Sequence, residues 1–185
     1  MAKIIGISGS LRNGSYNTML LRAAASMMQD GTQFTIRSIN EIPLYDGDLE
    51  ASEGIPPAVT TLKDAIAGAD GILLATPEYN NSIPGVLKNA IDWLSRPTTD
   101  IKRVFGGKKI ALIGASLSGF GTILSQNAWL PVLRTLGTRP WFEGRLMVSR
   151  ANKVFDDNGM LTDKAIEEQL QQFVDGFVRF LEQPS

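Results

Sequence analysis

"KIIGISGSLRNGSYNTMLLRAAASMMQ", residues 3–29, predicts a β-strand that turns directly into an α-helix. The strand is the apolar run 3–8, and the helix is 17–29, where apolar residues recur at three-to-four spacing. Between them, residues 9–18 carry several hydroxyl and amide side chains and one arginine. So much hydrogen-bonding capacity at the point where a strand becomes a helix favours a binding site over a plain connection.

The same alternation of strand and helix continues along the chain. Asn17 and Thr162 stand at predicted helix N-cap positions, and the longest irregular stretch, 40–57, is predicted to be a functional or mobile loop. Further strands are predicted at 34–39, 71–76, 109–116 and 141–148, and further helices at 57–69, 85–95, 122–136 and 162–182. This alternation predicts an α/β fold, a flavodoxin-like doubly wound five-stranded parallel sheet of order 2-1-3-4-5 with helices on both faces. No repeat or linker divides the chain, so one domain is predicted over residues 1–185.

Composition excludes several classes of function. The chain has 185 residues, 18 Lys and Arg against 19 Asp and Glu, no cysteine and no histidine. The balanced charge gives no field that would favour nucleic acid or an anionic membrane, so a small-molecule partner is expected. Cysteine nucleophiles, serine–histidine triads and ordinary zinc sites each need a thiolate or an imidazole, and no metal site is predicted. No stretch approaches the length of a membrane span, and the N-terminus lacks a signal-type apolar core, so a cytoplasmic location is expected.

In a doubly wound sheet, ligands bind at the carboxyl ends of the strands where strand order reverses, here beside strands 1 and 3. The turn after strand 1 should present backbone N–H groups at a helix N-terminus, a favourable place for an anion. Ser10, Ser15, Asn17 and Thr18 can add donors, and Arg12 can add charge. The segment matches neither the P-loop nor GxGxxG, and its hydroxyl-rich turn favours a terminal phosphate monoester.

The loops after strands 3 and 4 supply the rest of the predicted site. The segment "TPEYNNSIPGVLKNAIDWLSRP", 76–97, has prolines that stiffen the loop around Tyr79, Asn80 and Asn81. The tyrosine can pack beside a flat heteroaromatic ring, and the two amides can bond its edge. After strand 4, Ser116 is predicted to face the same crevice.

These two segments, "GSLRNGSYNT" and "TPEYNNSIPGVLKNAIDWLSR", resemble the NAD(P)H-dependent FMN reductase family, in particular its quinone and chromate reductase branch. The resemblance implies a flavodoxin-like fold, bound FMN, and reduction of quinones, chromate, azo compounds or free flavin by NADH or NADPH. It also implies a homodimer or homotetramer. Residue by residue it assigns the FMN phosphate to Ser10, Arg12, Ser15, Asn17 and Thr18, and the rest of the flavin to Pro77, Glu78, Tyr79, Asn80, Asn81 and Ser116. No catalytic side chain is implied, because FMN carries the chemistry.

Other functions stay open at this stage. A flavodoxin-type electron carrier has no NAD(P)H site of its own, and a phosphate-sugar or nucleotide-binding domain has no redox activity. A hydrolase is disfavoured because no histidine can serve as the base. Preference for NADPH over NADH needs a cation near the 2′-phosphate, and Arg12, Lys102 and Arg103 are the candidates.

Overall fold

Every pair of adjacent strands in the sheet is parallel, and the order β2-β1-β3-β4-β5 is the predicted one. A computed structural model describes residues 1–184. The strands are β1 (Lys3–Ser8), β2 (Gln33–Arg37), β3 (Gly71–Ala75), β4 (Lys109–Ala115), β5 (Arg139–Pro140) and β6 (Leu146–Val148). The helices are α1 (Tyr16–Ser26), α2 (Gly47–Glu53), α3 (Pro57–Ala67), α4 (Gly85–Leu94), α5 (Ile101–Val104), α6 (Ile123–Thr135) and α7 (Lys164–Glu182).

The central strands are buried on both faces, which explains their unbroken apolar sequences. Alternate residues of β1 serve opposite cores: Ile4 packs with α1 and α7, whereas Ile5 and Ile7 pack with α3, α4 and α6. Trp93 and Trp129 are fully buried in the second core, as expected for structural aromatic residues. No helix within residues 1–184 is long and apolar enough to cross a membrane.

The predicted bounds of the fifth strand, 141–148, are wrong, because strand occurs at Arg139–Pro140 and again at Leu146–Val148. β5 pairs with the start of β4 and β6 with its end, and the chain leaves the sheet between them. In the segment between these strands, the indole of Trp141 packs against Gly144 and Gly176 so closely that a Cβ at either glycine would clash with it. Of the predicted run, only 146–148 is a strand, since β5 ends before residue 141, and the sheet has six strands in all.

Two predicted helix starts are also wrong. Ser15, not Asn17, caps α1, and its hydroxyl accepts a hydrogen bond from the Thr18 N–H at 3.2 Å. Asp163, not Thr162, caps α7. The irregular stretch 40–57 contains the short helix α2, whose N-cap is Asp46. In each case a side chain that accepts from the first helical turn fixes the boundary.

Two consecutive lysines at the start of β4 tie both helical layers to the sheet. Lys108 Nζ donates to the backbone carbonyls of Ala67 and Ala69 at the end of α3. On the opposite face, the buried Lys109 Nζ donates to the Leu181 carbonyl at 2.8 Å, at the end of α7. A cation at a helix C-terminus satisfies unpaired carbonyls and complements the helix dipole.

Candidate functional site

The carboxyl ends of β1, β3 and β4 surround a cavity of about 340 Å³. It lies beside the point where strand order reverses, between β1 and β3. Its lining brings together all of the sequence-predicted site residues except Thr18: Ser10, Arg12, Ser15, Asn17, Pro77, Glu78, Tyr79, Asn80, Asn81 and Ser116. The three loops chosen from the sequence thus meet at one place.

The turn after β1 offers a set of free backbone donors. Within residues 1–184, none of its N–H groups at Leu11 and at 13–17 donates to an acceptor. The first turn of α1 contributes some of these donors, and the Arg12 guanidinium in the same turn forms no ion pair in the described chain. Unpaired N–H groups at a helix N-terminus beside a cation suit an anion such as phosphate.

The predicted phosphate ligands do not all have the same role in the structure. Asn17 is buried, and its side-chain amide bridges to the backbone of Ala115: Nδ2 donates to the carbonyl at 2.9 Å and Oδ1 accepts from the N–H at 3.0 Å. The turn after β1 is thereby fastened to the end of β4. Thr18 faces away from the cavity, and its hydroxyl donates to Ser8 Oγ at 2.9 Å.

A tight hairpin forms the cavity wall after β3. Tyr79 and Ser82 exchange two backbone hydrogen bonds of 3.1 and 3.0 Å. Asn80 and Asn81 between them have φ angles of 49° and 61°, as a type I′ turn requires. Asparagine tolerates this left-handed conformation better than most residues. The N–H groups of both asparagines donate to no acceptor within residues 1–184, so they are available to a ligand.

Glu78 anchors this hairpin instead of facing a ligand with a free carboxylate. Its Oε2 accepts from the N–H groups of Leu124 at 2.8 Å and Ser125 at 3.0 Å, in the first turn of α6. The carboxylate thus serves as a cap for a helix whose N-cap residue, Thr122, makes no side-chain cap bond. This arrangement suits a positioning residue and argues against a general acid.

A buried network that sequence analysis missed holds the start of the same loop. Thr76 Oγ1 donates to the Pro77 carbonyl at 2.9 Å, lies 2.8 Å from Ser125 Oγ and accepts from Trp129 Nε1 at 3.0 Å. Gly114 of β4 permits this close approach, because a Cβ there would lie 2.3 Å from the Thr76 carbonyl oxygen. The only feature of the sequence that pointed to this network was the threonine at the end of β3.

The loop after β4 organises itself around Ser116. The Ser116 hydroxyl donates to the Gly121 carbonyl at 2.7 Å and lies 2.8 Å from Ser118 Oγ. Tyr16, Leu117 and Ser118 also line the cavity, although they were not among the predicted residues. Tyr16 was missed because nothing in the sequence distinguishes it from an ordinary core aromatic residue. In the structure its ring stacks on Phe155, with the ring centroids 5.9 Å apart.

The parallel α/β sheet places free backbone donors and a hairpin beside the point where strand order reverses. This arrangement is typical of flavodoxin-like proteins, and it suits a ligand that has both a phosphate and a planar ring. Comparison with known proteins is consistent with this class. The family model described as NADPH-dependent FMN reductase matches residues 2–153. An NAD(P)H-dependent FMN reductase of Pseudomonas aeruginosa is 44% identical over 170 residues, which cover 92% of this chain and 90% of the relative.

Two further comparisons cover nearly the whole chain. A 2-hydroxy-1,4-benzoquinone reductase of Burkholderia sp is 36% identical over 179 residues, or 97% of this chain and 96% of the relative. The solved structure of the flavoenzyme NAD(P)H:(acceptor) oxidoreductase FerB from Paracoccus denitrificans has a TM-score of 0.87 at 34% identity and covers 98% of both chains. The chain belongs to the NADPH-dependent FMN reductase family. The predicted family and fold class are confirmed, and the reductase interpretation prevails over a flavodoxin-type carrier.

Proposed function

We propose that the protein is an FMN-containing oxidoreductase that uses NADH or NADPH to reduce quinones. The observation that carries the proposal is the set of unpaired N–H groups in the turn after β1, which opens into the same cavity as the Asn80–Asn81 hairpin. One end of that cavity suits a phosphate, and the other suits the edge of a planar ring. Family membership supports FMN as the molecule that has both.

The turn after β1 would hold the FMN phosphate. Its backbone donors, the Ser15 hydroxyl and the Arg12 guanidinium supply charge-assisted hydrogen bonds to a dianion. Asn17 contributes by fixing the turn against β4, and its second amide hydrogen remains available as a donor. Thr18 shapes the turn from behind through Ser8.

The hairpin would hold the isoalloxazine ring, with help from the Ser116 loop. FMN, when bound, supplies the transfer of a hydride from NAD(P)H to an electron acceptor. The chain's own residues bind and orient: Tyr79 offers an aromatic surface, and the N–H groups of Asn80 and Asn81 favour negative charge at a ring edge. Glu78 keeps the hairpin in place through α6, so its carboxylate is not needed as an acid.

Quinones are the acceptor class that the comparisons favour. The Burkholderia relative bears the name of a benzoquinone, a flat ring of the kind that can stack where a nicotinamide has left. Chromate, azo compounds and free flavin are the other predicted acceptors, and a steady-state assay ranks them by kcat/KM. A quinone value below all the others would contradict this part of the proposal.

A visible spectrum of the purified protein tests the function directly. We expect flavin absorbance bands, bleaching by NADPH or NADH without oxygen, and return of the bands when a benzoquinone is added. Arg12→Ala should weaken FMN binding by about tenfold or more, because it removes a charged phosphate ligand. A colourless protein that binds no added FMN would refute the proposal.

The organisation of the protein is proposed on separate grounds. A homodimer or homotetramer is supported by large apolar side chains that are exposed at Leu44, Phe120 and Phe142. Light scattering measures this, and a monomer at working concentration would contradict it. A single domain over residues 1–185 is supported by one sheet that carries every strand. Absence of nucleic-acid and membrane partners is supported by the net charge of −1, and the cytoplasmic location stays a prediction.

A further inference from the structure

A second, smaller cavity of about 250 Å³ lies behind the turn that follows β1. Its walls are the outer side of that turn, the exposed side of α1 and the segment that follows β2. Three arginines line it, Arg12, Arg22 and Arg37, and no carboxylate does. Within residues 1–184, none of the three guanidinium groups forms an ion pair or a hydrogen bond.

This arrangement differs from that of the arginines in structural ion pairs. Arg96 is paired with Glu50 at 2.8 Å, and Arg103 is held by Asp100 at 2.6 Å. Arg22 and Arg37 share one cavity without a counter-charge and repel one another, so an anion between them lowers the electrostatic free energy. The hydroxyls of Ser10 and Ser38 add polar groups to the lining.

The donor set identifies the chemistry of the anion. Guanidinium groups are planar donors that bind phosphate with two parallel hydrogen bonds each. Arg22 and Arg37 come from different elements, α1 and β2, and line the same cavity, so both can contact one compact ion. A phosphate monoester, with two negative charges and three terminal oxygens, fits this set better than a carboxylate.

The cavity is separate from the proposed flavin cavity but adjoins it. Both are lined by Ser10 and Arg12, whereas Arg22 and Arg37 line only the second. Because Ser10 and Arg12 belong to both cavities, an extended molecule in the first cavity can pass the turn and enter the second. NADPH has this form, since its nicotinamide is at one end and a 2′-phosphate monoester is near the other.

We propose that Arg22 and Arg37 bind the 2′-phosphate of NADPH and make this protein prefer NADPH over NADH. The inference rests on the proposed function, since a dinucleotide must reach the flavin cavity. Free inorganic phosphate has the same chemistry and is the other source of such an anion. Arg12 stays assigned to the flavin phosphate and is shared with this site only at its edge.

Calorimetry on the FMN-loaded protein isolates the 2′-phosphate, with 2′,5′-ADP and 5′-AMP as probes that differ only in that group. We expect the wild type to bind 2′,5′-ADP at least about tenfold more tightly than 5′-AMP. The double variant Arg22→Gln/Arg37→Gln should lose this difference. Arg134→Gln, which removes an exposed arginine of α6 far along the chain, should keep it. Equal affinities of the two probes for the wild type would overturn the inference.

Steady-state kinetics supply the second test. The double variant should lose about tenfold or more of its kcat/KM for NADPH, mainly through KM, and the loss for NADH should be much smaller. Rising salt should narrow the wild-type preference, because the site is exposed. Equal losses for both dinucleotides would overturn the inference. A third result would also overturn it: inorganic phosphate raises the melting temperature of the wild type but not of the double variant, while the wild type binds 2′,5′-ADP no more tightly than 5′-AMP.

Failure of the inference is distinguishable from failure of the proposed function. If the function fails, the wild type binds no FMN and oxidises neither dinucleotide. If only the inference fails, the wild type is yellow and uses both dinucleotides, and the double variant keeps the wild-type ratio of the two. FMN content and circular dichroism establish that the variant is folded and loaded. Both arginines are exposed and unpaired, so their replacement should not disturb the fold. The single variant Arg37→Gln should lose part of the preference for NADPH.

Discussion

Replacement of Asn17 by alanine should cost more stability than its place in a polar turn suggests. The side chain is buried and makes two hydrogen bonds, of 2.9 and 3.0 Å, to the carbonyl and N–H of Ala115. Alanine would leave both backbone groups without a partner at the end of β4. A buried group that loses its partner costs about 1–3 kcal/mol, so the pair predicts a loss of about 2–4 kcal/mol in the free energy of unfolding.

Urea unfolding followed by circular dichroism measures this loss, first without FMN so that ligand binding does not contribute. The corresponding fall in melting temperature is about 5–15 °C for a chain of this size. Asn13→Ala is the matched control, since Asn13 is in the same turn but exposed, and its change should stay within about 0.5 kcal/mol. If Asn17→Ala is as stable as this control, the bridging role is refuted, and phosphate binding is the only role left for Asn17.

Three further predictions concern the loops and the ion pairs. Glu78→Ala should lower the free energy of unfolding by about 1–2 kcal/mol and weaken FMN binding, because α6 loses its cap. Glu78→Gln keeps a hydrogen-bond acceptor, so its losses of stability and of FMN affinity should both be smaller. Asn81→Gly should keep the FMN dissociation constant within about threefold of the wild type, since glycine accepts a φ of 61°. Asn81→Val should raise the dissociation constant by about tenfold, because a β-branched residue does not accept this φ. Equal FMN binding by both variants would count against the role of the hairpin. Hydrogen bonds from Arg103 and then Lys63 hold the pKa of Asp100 well below its usual value, so their stabilisation is complete at neutral pH and is lost as the pH falls through about 4 and below. Urea unfolding from pH 5 down to pH 2.5 should therefore show a shallower fall in stability for Asp100→Asn than for the wild type, and identical slopes would contradict the assignment.

The strand order and the position of the cavity were predictable from sequence because they follow from general rules. Apolar runs that are buried on both faces alternate with amphipathic helices, which leaves few topologies. Polar segments after strands 1, 3 and 4 then meet at one edge of the sheet. The loop around Asn80 and Asn81 was predicted to be stiff but not to be a hairpin, although two tandem asparagines are suited to the positive φ angles that the hairpin needs.

What the sequence could not show depends on contacts between distant residues. The Asn17 amide could face a phosphate or a neighbouring strand, and its actual partner, Ala115, is 98 residues away. The ring of Trp141 packs closely against Gly176, which belongs to α7, a contact that no local sequence pattern shows. Arg22 and Arg37 show no motif, since only the fold brings α1 and β2 together around one cavity.

The neighbouring lysines Lys108 and Lys109 fasten both helical layers to the sheet at the edge opposite the crevice. The two cations are consecutive in the chain, and each donates to carbonyls near the end of a helix on a different face of the sheet. Neither layer can slide along the sheet without pulling an amine away from its carbonyls at the base. The hydrogen bonds that such sliding would break lie at the edge of the sheet opposite the loops that surround the crevice.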